Sequence, residues 1–369
     1  RKAAGAIGTP GRWPMTRLLG AEVLLLMVAV GTSAELSQLT PPAFAGQVTM
    51  SQTLLGYDLA GPPTALRLLV DWCFEVLFGT AAIGLAGWYL AAVLRLHRRG
   101  RRWPARRTVC WLAGCLVILL ATSSGLGRYE PALFSVHMAT HMLLAFLAPG
   151  LLSQGAPIML VRDSSRAAAN GLPTADDWLG GIVWSWPARL LTHPIVALIL
   201  LVGSPFALYF TSAFDVAARF HWAHMALDGY FLVVGYLFAW PLIGTDPAPR
   251  PLPNLVRVGM VLAAAPFTAA FAAVVISTQA VIGNGAAGSN MYSALAEPWV
   301  PDLLADQRLA GILALAIGET SLFAALVVLL ARWAMVDDDP DASGMIGIDA
   351  LLDRSVKSAQ PQAVRDDQQ

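Results

Sequence analysis

FSVHMATHMLLAFLAPGLL, residues 134–152, decides how the rest of the chain is read. The stretch is apolar throughout and long enough to make most of a membrane-spanning helix, which needs about 20 such residues. On a helix, His137 and His141 stand on one face about one turn apart. Met138 and Met142 repeat that spacing on the adjoining face. Imidazole and thioether are ligands for copper, and thioether favours the cuprous form. A second pair, His221 and His224, follows in FHWAHMALDGY at 220–230. The two pairs read as halves of one metal site, provided their helices meet at the same depth.

Composition places the chain in a membrane. Hydrophobic residues make up 56% of the 369 positions and charged residues only 13%, against about 25% charged in a soluble domain. Mean hydropathy is +0.60. The formal net charge of zero gives no global basic field for nucleic acid. Cys73, Cys110 and Cys115 all sit in apolar runs and form no CxxC, so they read as small buried residues rather than disulfides or thiolate ligands. The chain opens on Arg1 with no signal-peptide pattern ahead of its first apolar run, which points to a piece or processed product of a longer chain.

Eight stretches are long and apolar enough to span: 18–39, 66–94, 108–126, 133–160, 191–212, 221–243, 255–281 and 307–334. The expected fold is an all-α polytopic membrane helix bundle. Arginine sets the expected orientation. RLHRRGRRWPARR at 95–107 holds seven arginines and is expected in the cytoplasm, with both termini on the same side. Only Arg67, Arg128, Arg219 and Arg308 border the outside connections at 40–65, 127–132, 213–220 and 282–306. The segment 163–190, with Trp178, Trp184 and Trp186, reads as interfacial on the inner face. The polar tail from 336 to 369 reads as disordered.

In this topology His137 and His141 lie in the first two turns of the fourth span, and His221 and His224 in the first turn of the sixth. Both pairs therefore sit at the outer end. Asp228 extends the His221 and His224 stripe at i+7 and i+4, where it could ligate metal or orient an imidazole. Met225 is i+4 from His221. The candidate metal ligands are His137, His141, His221, His224, Met138, Met142, Met225 and Asp228. Asp71 with Glu75, and Asp306 with Gln307, are further polar residues at outer ends. Glu319 lies about 18 Å deeper along the last span. His97 reads as solvated in the arginine loop, and His193 as structural at the inner end.

Three stretches resemble the CtaG family of cytochrome c oxidase assembly proteins: HMATHMLLAFLAPGLLSQGAP at 137–157, FHWAHMALDGYFLVVGYLFAWPLIGTDP at 220–247 and DQRLAGILALAIGE at 306–319. The resemblance covers about residues 50–335, seven helices. It implies a bacterial plasma-membrane protein needed to form the copper B centre of haem–copper oxidase. The implied partners are an oxidase subunit, the lipid bilayer and a copper donor protein. RLLGAEVLLLMVAVGTSAELSQLTPPA at 17–43 looks instead like the last helix of a CopD-like copper-resistance domain. The expected domains are thus 1–45, a terminal helix; 46–335, the CtaG-like membrane domain; and 336–369, the tail.

The leading expectation is a copper-binding assembly factor that works by ligand exchange and is not an enzyme. The sequence offers no nucleotide-binding loop to drive it. A b-type haem or quinol electron carrier would also use His from facing helices, yet two His within one turn is poor spacing for it. A copper transporter needs a second His/Met cluster in the inner halves of the helices, which the sequence lacks.

Overall fold

The computed structural model describes residues 22, 26, 29, 33, 49–164, 175–283, 291–295, 297–300 and 302–337, and among these there are helices and no strand. Among the described residues six helices are long and apolar enough to cross a bilayer: α1 (Val76–Arg98), α2 (Ala105–Tyr129), α3 (Phe134–Ser164), α6 (His221–Ile243), α7 (Asn254–Ser277) and α8 (Leu303–Asp337). Between α3 and α6 lie α4 (Pro194–Tyr209) and α5 (Ser212–Arg219), apolar enough for a span when taken together and bent by 82° where they meet. The protein is an all-α polytopic membrane bundle. The expected first span, 18–39, falls outside the described residues apart from four isolated positions. The 1–45 unit falls there with it, as does the tail after Asp337.

One expected span and one expected connection are drawn differently. The run 66–94 breaks between a short helix, Ala65–Val70, and α1. Asp71 closes the first, while the Glu75 carboxylate accepts from the amides of Leu77 and Phe78 and starts the second. Asp71 and Glu75 therefore do not share a helical face. The expected outer connection 213–220 is mostly helix α5, opened by the Thr211 hydroxyl, which accepts from the Ala213 amide.

α3 and α6 are the most enclosed spans. Of their apolar windows 56% and 61% lie inside the protein, against 33% in α1 and 28% in α8. α3 is not a plain helix: Leu143–Leu147 widen into a π turn just before Pro149. Proline has no N–H, and its ring crowds the carbonyl four residues back, here Ala145; a π turn relieves that clash. Gly235 of α6 backs onto this same carbonyl, where a Cβ would stand 2.0 Å from the Ala145 oxygen. Glycine thus lets α6 close on α3 at the irregular turn, the small-residue contact by which membrane helices approach.

The end of the bundle where α3 and α6 begin is covered. Leu59, Tyr129, Ala132, Leu133, Val136 and Leu295 form a separate apolar cluster there, with Tyr57 and Trp299 packed against it. The Tyr57 hydroxyl donates to the Arg128 carbonyl, the Arg128 guanidinium to the Asp58 carbonyl, and the Tyr129 hydroxyl to the Gly61 carbonyl. Gln307 bonds the Ile282 amide and three carbonyls of the 275–280 segment. Asp306 accepts from both the amide and the hydroxyl of Ser135, pinning the start of α8 to the start of α3. The two polar residues that open α8 are therefore structural clamps.

Candidate metal centre

The turn between α2 and α3 is where the site begins. Residues 57–61 hold Arg128 outward and Tyr129 in place, and Glu130 directly after them is buried. Seven residues on, α3 brings His137, and one turn later His141, to the same place. α6 contributes His224 from its first turn and Asp228 from its second. One ligand atom each from Glu130, His137, His141 and His224 lie within 4.8 Å of one another.

Glu130 Oε1 stands at the centre, 3.6 Å from His137 Nδ1, 3.6 Å from His141 Nε2 and 3.1 Å from His224 Nε2. Asp228 Oδ1 lies 3.0 Å from His141 Nε2. All five of these facing atoms are buried and none has a hydrogen-bond partner. Leaving one such group unpaired costs about 1–3 kcal/mol, so five at one point mark a place built for something else. A cation fits them. An ion bound by four ligands at about 2.1 Å in a tetrahedron separates the ligand atoms by roughly 3.4 Å, close to the spacing around Glu130 Oε1.

The outer faces of the imidazoles are fixed. Tyr209, at the end of α4, has its hydroxyl 3.0 Å from His137 Nε2 and 2.5 Å from His141 Nδ1. Phe134, Phe214 and Phe231 close the walls, with ring centres 4.9–5.8 Å from the histidine rings they face. This is the arrangement of a metal pocket: lone pairs inward, hydrogen bonds behind, apolar rings around. Burial and the neighbouring Asp228 carboxylate push Glu130 well above the ordinary carboxylate range.

The sequence-derived ligand set divides. His137, His141 and His224 converge, with Asp228 against His141. His221 is exposed at the start of α6, outside the converging group. Met138 and Met142 lie in the core among Phe134, Leu201 and Phe231. Met225 packs on a different apolar cluster, with Phe78 and Tyr89. The methionines are thus taken up by packing. Glu130 and Tyr209 were missing from that set. The only signal for Glu130 is its position, a carboxylate in the four-residue connection that leads into the histidine helix.

Fold and site together define a multi-pass membrane protein with a buried three-histidine, carboxylate-rich centre at one end of its bundle. The chain belongs to the cytochrome c oxidase caa3 assembly factor family, Caa3_CtaG, whose profile matches residues 87–335. It is 38% identical over 316 residues to uncharacterized proteins of Mycobacterium bovis and Mycobacterium tuberculosis, a match covering 85% of this chain and 47% of each relative. Against an uncharacterized protein of Mycobacterium leprae it is 38% identical over 301 residues, 81% of this chain and 45% of the relative. The chain therefore spans about half the length of these curated relatives. No solved structure matches it.

Proposed function

We propose that the chain binds copper and hands it to a haem–copper oxidase during formation of the copper B centre. The observation that carries this reading is the convergence of five buried, unpartnered nitrogen and oxygen atoms from α3, α6 and the turn before α3. Family membership supplies the oxidase. Three imidazoles and a carboxylate accept copper readily, since copper(II) heads the affinity order for such donors. The methionines that argued for copper(I) are committed to the core, so the donor set accommodates either oxidation state.

The chemistry is ligand exchange without covalent catalysis. A bound ion takes the inner lone pairs of His137 Nδ1, His141 Nε2 and His224 Nε2. Each imidazole must then carry its proton on the outer nitrogen. Tyr209 suits this state, because its oxygen has two lone pairs and can accept both outer N–H groups at once. Binding displaces protons from the centre, so acidification weakens it. His224 is the most accessible of the three, 16% exposed at its side chain, and is the first ligand an incoming donor or an oxidase subunit can exchange. The site end is the outer face of the bacterial plasma membrane in this reading, because the seven arginines of 95–107 lie at the other end. A haem carrier finds less support: His137 and His141 ring centres are 4.0 Å apart and those of His137 and His224 5.1 Å, with Glu130 filling the space between.

The test is metal analysis of the purified chain beside a His137→Ala/His141→Ala/His224→Ala variant, with oxidase copper content measured in cells carrying each. The expected result is stoichiometric copper in the wild type, little in the variant, and oxidase that holds haem but lacks copper. A variant that reaches normal levels and still yields fully copper-loaded oxidase under copper limitation overturns the proposal.

A further inference from the structure

The opposite end of the bundle holds a cavity of about 660 Å³ between the end of α6, the 244–251 connection, the last turns of α3 and the start of α7. Its polar lining is uneven. Asp246 accepts from the amides of Ile158 and Met159, and Asp163 pairs with Arg101 at 3.1 Å, so both carboxylates are engaged. The donors are not. Trp240 is only 7% exposed, yet its Nε1–H has no partner, and neither has Arg257 Nε. A Cβ on Gly244, which lines the cavity, would stand 3.0 Å from Trp240 Cδ1, the carbon bonded to that nitrogen. Arg162 stands exposed on the same lining. Arg106, Arg107 and Arg257 also lie within electrostatic reach of Arg332, so positive charge exceeds negative at this end.

We propose that this cavity binds a phosphate-type oxyanion. Trp240 Nε1–H and the Arg257 guanidinium donate from the wall and Arg162 from the mouth. A buried indole N–H ordinarily finds an acceptor, and guanidinium suits the oxygens of a phosphate. Basic pockets between membrane helices hold lipid head groups in this way. The same chemistry serves an anionic phospholipid or free phosphate.

The experiment separates these sources. The chain is placed in nanodiscs of phosphatidylcholine alone or mixed equally with phosphatidylglycerol, and tightly held lipid is identified by mass spectrometry. In parallel its thermal midpoint is measured in detergent with sodium phosphate against sodium chloride at matched ionic strength. Several-fold enrichment of phosphatidylglycerol identifies a lipid head group; a raised midpoint in phosphate without enrichment identifies the free anion. Trp240→Phe keeps the ring and removes only the donor, and Arg257→Gln removes the charge. Each should weaken the effect about tenfold, as befits one hydrogen bond to a charged group. Arg98→Gln, at an exposed arginine, should leave it unchanged. Neither enrichment nor shift, equal binding by both cavity variants, or equal loss with Arg98→Gln overturns the proposal.

Discussion

Two groups of buried polar side chains, one toward each end of α3, meet their hydrogen-bonding needs in opposite ways. Toward the end of α3, one group of buried polar side chains finds its partners within the chain: Gln154 Nε2 donates to the Ile243 carbonyl at 2.7 Å, Arg332 to that carbonyl and to Gln154 Oε1, and Trp103 Nε1 to Tyr89, whose hydroxyl reaches the Gly155 carbonyl. Where α3 begins, Glu130, His137, His141, His224 and Asp228 face one another at 3.0–3.6 Å without a hydrogen bond among their facing atoms. Both regions are buried, and both tie the same helices together. The difference is that the first set is satisfied by the chain itself. Satisfied polar groups hold helices in register; converging unsatisfied ones describe what is missing. Burial of polar residues alone would not have told the two apart.

The largest effect expected at the unpaired end comes from Glu130→Gln, which keeps the shape and removes the central negative charge. Removing an outer-shell partner of a metal ligand lowers affinity about ten- to hundredfold; losing the carboxylate that touches all three imidazoles should exceed a hundredfold by isothermal titration. The variant also carries a pH signature. Glu130 is raised by burial and by Asp228, so the folded metal-free protein holds this proton more tightly than the unfolded chain. Its contribution to stability is full below the ordinary carboxylate pKa and is lost as pH rises through the raised value. The metal-free wild type should therefore lose more thermal stability with rising pH than Glu130→Gln, measured side by side. A slope unchanged in the variant would remove Glu130 from the centre of the site.

Tyr209→Phe comes next. It leaves all inner atoms in place and takes away the oxygen behind His137 and His141. Copper affinity should fall about ten- to hundredfold, with the protein still folded. Binding at wild-type strength would mean that the hydroxyl does not orient the rings.

His221→Ala, three residues before His224, should be nearly silent. Substitutions at exposed positions away from such features stay within about 0.5 kcal/mol, roughly twofold in affinity. His224→Ala measured beside it should lose far more. Equal losses would return His221 to the ligand set and show that the first turn of α6 can turn further inward than its present position.

Much of this was legible in the sequence. Apolar length alone found the stretches that became α2, α3, α6, α7 and α8, because a bilayer leaves few ways to bury a backbone. The i, i+4 spacing put His137 and His141 on one face, and the start of α6 put His224 at matching depth. The run 66–94 misled because its hydropathy does not dip enough at Asp71 and Glu75 to reveal that the chain caps one helix and starts another there. Glu130 was invisible for a different reason. A glutamate two residues from Arg128 in a short connection carries no sign of burial in the sequence; the neighbouring Arg128 and Tyr129 are held by residues distant in sequence, Tyr57 and Gly61 through hydrogen bonds and Leu295 and Trp299 through the apolar cluster. Nothing in the sequence sets Tyr209 apart from the other aromatics of the spans. The methionines show the reverse case, a ligand-like pattern whose side chains belong to the apolar clusters.

The smallest effect on copper belongs to the satisfied group around Gln154. Gln154→Ala removes the amide that links Arg332 to the Ile243 carbonyl. The guanidinium is left without its side-chain acceptor, and the end of α3 loses a bond to the end of α6. An unsatisfied group of this kind costs about 1–3 kcal/mol, read as a lower thermal midpoint in detergent. Copper affinity should not move, because α3 and α6 are also held together between Gln154 and the centre, by the close approach of Gly235 to the Ala145 carbonyl. The variant thus separates stability from binding within one pair of helices. Should Gln154→Ala weaken copper as strongly as Tyr209→Phe, the two ends would be mechanically coupled. The contrast between the paired group around Gln154 and the converging group around Glu130 would then fail, since the centre would depend on the register of the whole span rather than on the groups that meet at Glu130.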